Sequence, residues 1–305
     1  MRPKIATDAI LTRRTALGAA LLAFVTPASA QERRVRLGQI NLSFHAVTAG
    51  VVHETLLRLG HAVEVVEGPH EEIFPRLAHG EVDLLAATWL PGGHAEYWRQ
   101  YAAQAVQLAP LYDGARLFWA VPPHVPESAV RSIEDLARPE VAARMDKSIR
   151  SIGPGAGLTI RSLRAAEAYG LGTAGYAVQP GPAGEWIANF RRAVAEGRWM
   201  VMPLWRPQFL NTAYRLRVLD DPKGILGAVD HGVLVARTGL GERLPADTLA
   251  ALSRIRLGLD AVEEMDGLVN VEHLTPREAA RRWMAANPAS VSAWLPGLPM
   301  SDEPT

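Results

Sequence analysis

Strand-length apolar runs alternate with amphipathic helical stretches along this chain, and the alternation occurs twice with different content. Nothing else in the sequence limits the fold as much, because consecutive βαβ units pack as helices laid over a mostly parallel sheet. In the first set Val35–Ile40 reads as a strand, Phe44–Leu59 as a helix stopped by Gly60, Ala62–Val66 as a strand and Val82–Ala87 as another. Glu71–His79 reads as a short helix interrupted by Pro75. The second set runs from the strand Ser148–Ile152 through the helices Leu158–Tyr169 and Trp186–Glu196 to the strand Trp199–Leu204. A late strand, Val233–Ala236, precedes a helix ending near Ala286 and opened by the capping box Thr275-Pro276-Arg277-Glu278. The predicted class is α/β with two lobes, each a mostly parallel sheet flanked by helices, and a ligand cleft between them. Lobe I takes 33–117 and, through a returning tail, 227–305; lobe II takes 118–226.

The first thirty residues read as an export signal. Arg2, Lys4, Arg13 and Arg14 precede the apolar run Ala16–Val25, and Ala28-Ser29-Ala30 is a small-residue cleavage site. Thr12-Arg13-Arg14-Thr15-Ala16-Leu17 fits the twin-arginine route, and the general secretory route fits the same segment. Cleavage after Ala30 predicts a periplasmic protein with no membrane insertion of the mature chain. The whole chain is neutral, and removing four cations with Asp8 leaves a net charge near −3. That balance gives no reason to expect nucleic acid or an anionic membrane as partner. The absence of cysteine excludes disulfides, thiolate metal sites and cysteine nucleophiles.

Ligands of open α/β sheets bind beyond the carboxyl ends of the strands. Four segments there carry unusual residues: Asn41–His45, Thr88–His94, Gly153–Leu158 and Leu204–Phe209. Trp89 and Trp205 both stand in Trp-x-Pro sequences after strands, as core aromatics or as flat faces for a cation. The run Gly153-Pro154-Gly155-Ala156-Gly157 before a helix is either a tight turn or a set of free N–H donors for an anion. His94 either donates to a carboxylate or lies in the first turn of the next helix. Asp113 and Glu185 are candidates for lining a cleft. The histidines show no ligand spacing for a metal: His53-Glu54 lacks a second histidine, and His70 stands without a partner at ligand spacing. No catalytic residues and no cofactor are expected, since no G-x-S-x-G and no Ser/His/Asp arrangement stands out.

The segments "TWLPGGHAEYW", "IGPGAGLTIRS", "PLWRPQF" with "LDDPKGILG", and "AARRWMAANPASVSAWL" together resemble the glycine betaine/proline betaine substrate-binding proteins of ABC importers. The resemblance runs from about Val35 to Leu295. It implies the type II periplasmic-binding-protein fold, closing on its ligand by hinge motion. It also implies a quaternary ammonium compound held in an aromatic cage, delivered to a permease with its ATPase. By this resemblance Trp89 and Trp205 are cage walls, His94 binds the ligand carboxylate, and Gly157 and Leu158 offer backbone amides. Where relatives carry a further cage tryptophan after the first strand, this chain has Leu42, and Phe44 is the candidate replacement wall. The family's W-x-P-H-W is here Trp205-Arg206-Pro207-Gln208-Phe209. Two alternatives stay open: a periplasmic enzyme on the same scaffold with His94 as general base, and a receptor that presents its ligand to a sensor protein.

Overall fold

The computed structural model describes residues 34–296, so the export-signal expectation for 1–30 lies outside the described residues. Numbering only helices longer than a single turn, the chain runs β1 (Arg34–Ile40), α1 (Ser43–Arg58), β2 (Ala62–Gly68), α2 (His70–Ala78), β3 (Leu84–Leu90) and α3 (Ala95–Tyr101). A long strand β4 (Ala105–Val121) follows, then β5 (Ser148–Ser151), α4 (Gly157–Ala168), β6 (Ala177–Pro180), α5 (Ala183–Ala195), β7 (Met202–Arg206) and β8 (Arg217–Val218). The last part contains β9 (Asp230–Arg237), α6 (Ala246–Arg254), α7 (Leu259–Asn270), α8 (Pro276–Ala286) and α9 (Pro288–Trp294).

The main sheet has the order β2-β1-β3-β9-β4-β7, with β8 on β4; β5 and β6 form a separate pair. Parallel pairing is confined to β2-β1-β3 and to β5-β6. The other pairs are antiparallel: β9 lies between β3 and β4, and β7 and β8 lie on β4. The sheet is therefore mixed. A strand returning from the second α/β set enters the first sheet from the opposite end, which reverses its direction. β4 pairs with β9 from Ala105 to Ala115 and with β7 from Arg116 to Ala120, so one strand joins the two halves.

Apolar burial follows this layout. Trp119, Ile133, Ile149, Leu171, Trp199 and Leu226 belong to a core built only from residues 119–226. The faces of the β2-β1-β3 part are covered by α1, whose Val47, Val51 and Leu56 are buried, and by α2, through Ile73, Phe74 and Leu77. The capping box at Thr275 forms as the sequence predicts, with the Thr275 side chain on the Glu278 N–H and the Glu278 carboxylate on the Thr275 N–H. At the far end of the sheet, Asp83 is fully buried and bonded to Arg36, Arg237 and Arg243. Burial alone would raise its carboxyl, but the bonds from Arg36 and Arg237 overcome that and hold it at about 2. No helix among the described residues is long and apolar enough to cross a membrane.

Candidate functional site

The six residues to which the resemblance gives ligand contacts, Trp89, Trp205, His94, Gly157, Leu158 and Phe44, line one cavity. Leu42, Gly93, Leu117 and two further histidines, His45 and His70, line it as well. Asp113 and Glu185 do not: Asp113 pairs with His231 at the surface, and Glu185 is exposed in the first turn of α5.

Trp89 is a strand residue. The sequence pattern ends the strand at Ala87, but β3 continues to Leu90, with Trp89 opposite Gly232 of β9. The ladder shifts register between Leu85 and Thr88, and Ala87 takes a φ of 61°. Such a bulge re-aims the side chains that follow it. The Trp89 indole N–H donates to the Tyr112 hydroxyl of β4 at 2.8 Å. The Tyr112 ring lies flat over Gly232, where any Cβ would overlap it.

The turn after β3 is held from two sides. Asp230 of β9 accepts the N–H groups of Gly92 and Gly93 at 2.5 and 2.8 Å. His94 and Trp89 bond reciprocally: the His94 N–H donates to the Trp89 carbonyl, and the Trp89 N–H donates to His94 Nδ1 at 2.8 Å. With Nδ1 accepting, the neutral ring carries its proton on Nε2, which makes Nε2 a donor. Burial holds this imidazole well below its usual range, so it is neutral near pH 7.

Trp205 likewise lies within a strand, opposite Leu117 of β4, although the sequence reading puts it past the strand end. One of its faces stacks on Trp186 of α5, with centroids 4.9 Å apart and planes 16° apart. Phe44, near the start of α1, bridges the two tryptophans, 5.7 Å from Trp89 and 5.4 Å from Trp205. Three aromatic residues thus form one wall system. Gln208 and Phe209, which depart from the family pattern, are buried and are not among the residues lining the cavity. The Gln208 side chain accepts from the Leu210 N–H, and the Phe209 N–H donates to Asp266 of α7 at 2.8 Å. Arg206 pairs with Glu263 and Asp260 of the same helix.

Asp266 gives this support a pH dependence. Burial, with the neighbouring charge of Glu263, raises its carboxyl to about 6. A folded value above the unfolded one means that ionisation opposes folding, so stability from this group is present below about pH 4 and lost as pH rises through about 6. Asp266→Asn keeps an acceptor without the charge. Chemical unfolding at pH 4.5 and 7.5 should show the variant gaining on the native protein by roughly 2–3 kcal/mol at the higher pH. An equal difference at both pH values would rule this out.

The opposite end of the cavity is a helix start. Ala156 caps α4 without a side-chain hydrogen bond, and the first turn holds no acid. The first-turn N–H groups have no acceptor within the helix and present partial positive charge. Thr159 is turned inward, its hydroxyl on the Ile152 carbonyl and on Ser151. Gly157 touches the backbone of the β3–α3 turn, where a Cβ would overlap the Gly93 carbonyl oxygen. Further contacts cross the same gap: Tyr97 donates to the Gly155 carbonyl at 2.9 Å, Arg161 to the Gly92 carbonyl at 3.0 Å, and Arg164 pairs with Glu96.

The sequence reading gives His45 no role of its own and sets His70 aside for want of a partner at ligand spacing. They come from the starts of α1 and α2, and the fold brings them beside His94, with ring centroids 5.9 and 5.1 Å from it. The signal available was their position, since both follow the carboxyl end of a strand. Among the described residues, no Asp, Glu, Lys or Arg lines the cavity. It therefore combines aromatic faces, neutral N–H donors and imidazoles, and suits a small ligand carrying both charges.

The sequence of residues 33–286 matches the family described as the substrate binding domain of ABC-type glycine betaine transport systems. A glycine betaine/carnitine transport binding protein of Listeria monocytogenes is 26% identical over 166 residues, a stretch that is 54% of this chain and 55% of that protein. The chain is thus aligned with about half the length of this relative. Among solved structures, the glycine betaine/L-proline-binding protein of Borrelia burgdorferi has a TM-score of 0.79 at 23% identity, covering 87% of this chain and 97% of that one. A lactococcal protein in its closed conformation with glycine betaine gives 0.77 at 24%, covering 86% and 99%. A choline-binding protein in complex with choline gives 0.77 at 21%, covering 90% and 95%. These structures share the two-lobed type II fold.

Proposed function

The chain belongs to the family of substrate-binding domains of ABC-type glycine betaine transport systems, and from that premise we propose that it is the extracytoplasmic receptor of an importer for carboxylated quaternary ammonium compounds. In this reading the lobes are 33–117 with 227–305 and 118–226, and the chain is exported to the periplasm by the signal in residues 1–30, which is then cleaved off near Ala30. Its partners are a permease and the ATPase that drives it. Trp89, Trp205 and Phe44 hold the ammonium end by cation–π attraction, each contact contributing ~0.5–2 kcal/mol. The His94 Nε2–H and the amides of Gly157 and Leu158 hold the carboxylate. The proposed role is binding without catalysis, and among the described residues lining the cavity there is no serine, threonine, lysine or carboxylate beside His94.

The observation that carries the proposal is the pairing of an aromatic end with a donor end in a cavity lined by no charged residue. A ligand with a cation alone would find nothing there to neutralise it, and a buried unpaired charge is costly. Glycine betaine, proline betaine and carnitine should bind with micromolar dissociation constants and change tryptophan emission. Choline, with a hydroxyl in place of the carboxylate, should bind at least about tenfold more weakly, a difference of roughly 1.4 kcal/mol. Calorimetric titration of the four compounds tests this. Choline binding as tightly as the zwitterions would overturn the substrate class, and no response to any of them would overturn the function.

A further inference from the structure

The three histidines at the donor end form a cluster larger than a single carboxylate-binding histidine needs. One ring nitrogen from each of His45, His70 and His94 lies within 4.8 Å of the others. All three side chains are buried, and His45 Nδ1 has no hydrogen-bond partner. Such a trio suggests a metal, but the tautomer argues otherwise. A metal-binding imidazole presents a bare nitrogen and donates its other N–H to an acceptor. His94 Nδ1 instead accepts from the Trp89 backbone, so Nε2 keeps its hydrogen and offers a donor for an acceptor, not a lone pair for a cation.

We infer that His45 and His70 bind the ligand together with His94, the three imidazoles forming one cradle for its acid group that takes up a proton from solvent as that group enters. This rests on the ligand class proposed above. The free cradle excludes the proton: burial holds His45 and His94 well below their usual range and His70 at about 4, and each charged ring would repel the others. An entering carboxylate supplies the missing negative charge, so one imidazole becomes imidazolium while the ligand stays ionised. His94 is not the acceptor, because its Nδ1 already faces an N–H. The proton goes to His45 or His70.

The other titratable and charged groups around the cradle are Glu71 of α2, Tyr97 of α3, Arg161 of α4 and Asp230 of β9. Their bonds are directed elsewhere. The Glu71 carboxylate lies against Gly155, and Tyr97 donates to the Gly155 carbonyl. Arg161 donates to the Gly92 carbonyl, and Asp230 accepts from Gly92 and Gly93. Burial, with Glu71 close by, raises the Tyr97 hydroxyl to about 12, so it stays neutral throughout the range tested.

A proton taken up on binding makes affinity rise as pH falls, approaching about tenfold per pH unit for one full proton. Titrating glycine betaine by calorimetry from pH 8 to 5, in phosphate and in Tris where both buffer, measures affinity and proton uptake together. The expected result is uptake approaching one proton and a dissociation constant at least tenfold lower at pH 5 than at pH 8. The double variant His45→Gln/His70→Gln should lose the proton uptake and the pH dependence, and at pH 5 it should bind at least about tenfold more weakly than the native protein. A flat dissociation constant with no buffer-dependent heat in the native protein overturns the cradle and leaves the proposed function standing. Stabilisation of the native protein by zinc chloride, abolished in the double variant, would overturn it in favour of a metal. Absence of glycine betaine binding at every pH removes the proposed function, and the cradle with it.

Discussion

Replacing Gly157 with alanine is expected to weaken ligand binding about a hundredfold, roughly 2.7 kcal/mol, while leaving the unliganded protein as stable as before. The added methyl has no room, because the Gly93 carbonyl oxygen occupies its place. Relief requires the β3–α3 turn and the start of α4 to move apart. That separation breaks the bonds from Tyr97 to Gly155 and from Arg161 to Gly92. In the proposed binding mode it also draws the Gly157 and Leu158 amides away from Trp89 and His94, so the two ends of a bound zwitterion could no longer be held together. The cost falls on the closed arrangement alone. The hinge opening that the family resemblance implies would make room for the methyl, and alanine is the better helix former at the first position of α4. Calorimetric binding should therefore show the loss, while the unliganded unfolding midpoint stays within a few degrees. Native affinity in Gly157→Ala would mean that this contact has no part in holding the ligand.

Much of the architecture was legible locally, and what was missed depends on distant contacts. The Thr275 capping box, Pro276 at the first helical position and the Gly60 stop are short-range devices, and each acts where the sequence puts it. β4 has no such signature. Pro110, Asp113 and Gly114 break it into fragments that look like loop, and only pairing with β9, through three register shifts, makes them one strand. The same long-range pairing extends β3 through Trp89, so a residue that reads as loop is fixed on a sheet. The rigid placement of both tryptophans in strands follows from partners that the local pattern does not contain. Histidine spacing misled for a similar reason. Residues 45, 70 and 94 are too far apart for any local ligand motif, yet each follows the carboxyl end of one of three adjacent strands, and there the topology brings them together. Trp186 was invisible as a site residue because it does not line the cavity; it backs a residue that does.

Trp205→Ala and Trp283→Ala separate the cage from the core. Both tryptophans are almost fully buried, and truncating either leaves a large void at a cost of about 3–5 kcal/mol of stability. Their neighbours differ. Trp283, on α8, stacks on Trp294 of α9 at 6.2 Å, and neither ring reaches the cavity. Trp205 has Trp186 behind it and Phe44 beside it, and its remaining surface lines the cavity. Losing it removes one proposed aromatic wall and one of the ring contacts of Phe44, which keeps those to Trp89 and His45. Binding of glycine betaine should then weaken about tenfold or more, the upper part of the range for a desolvated cation–π contact. Trp283→Ala should keep the native dissociation constant when measured well below its lowered unfolding temperature. The comparison controls for general loosening of the fold, because the two variants lose similar stability. Equal losses of affinity in both would make the effect of Trp205 one of stability, and native affinity in Trp205→Ala would remove it from the cage.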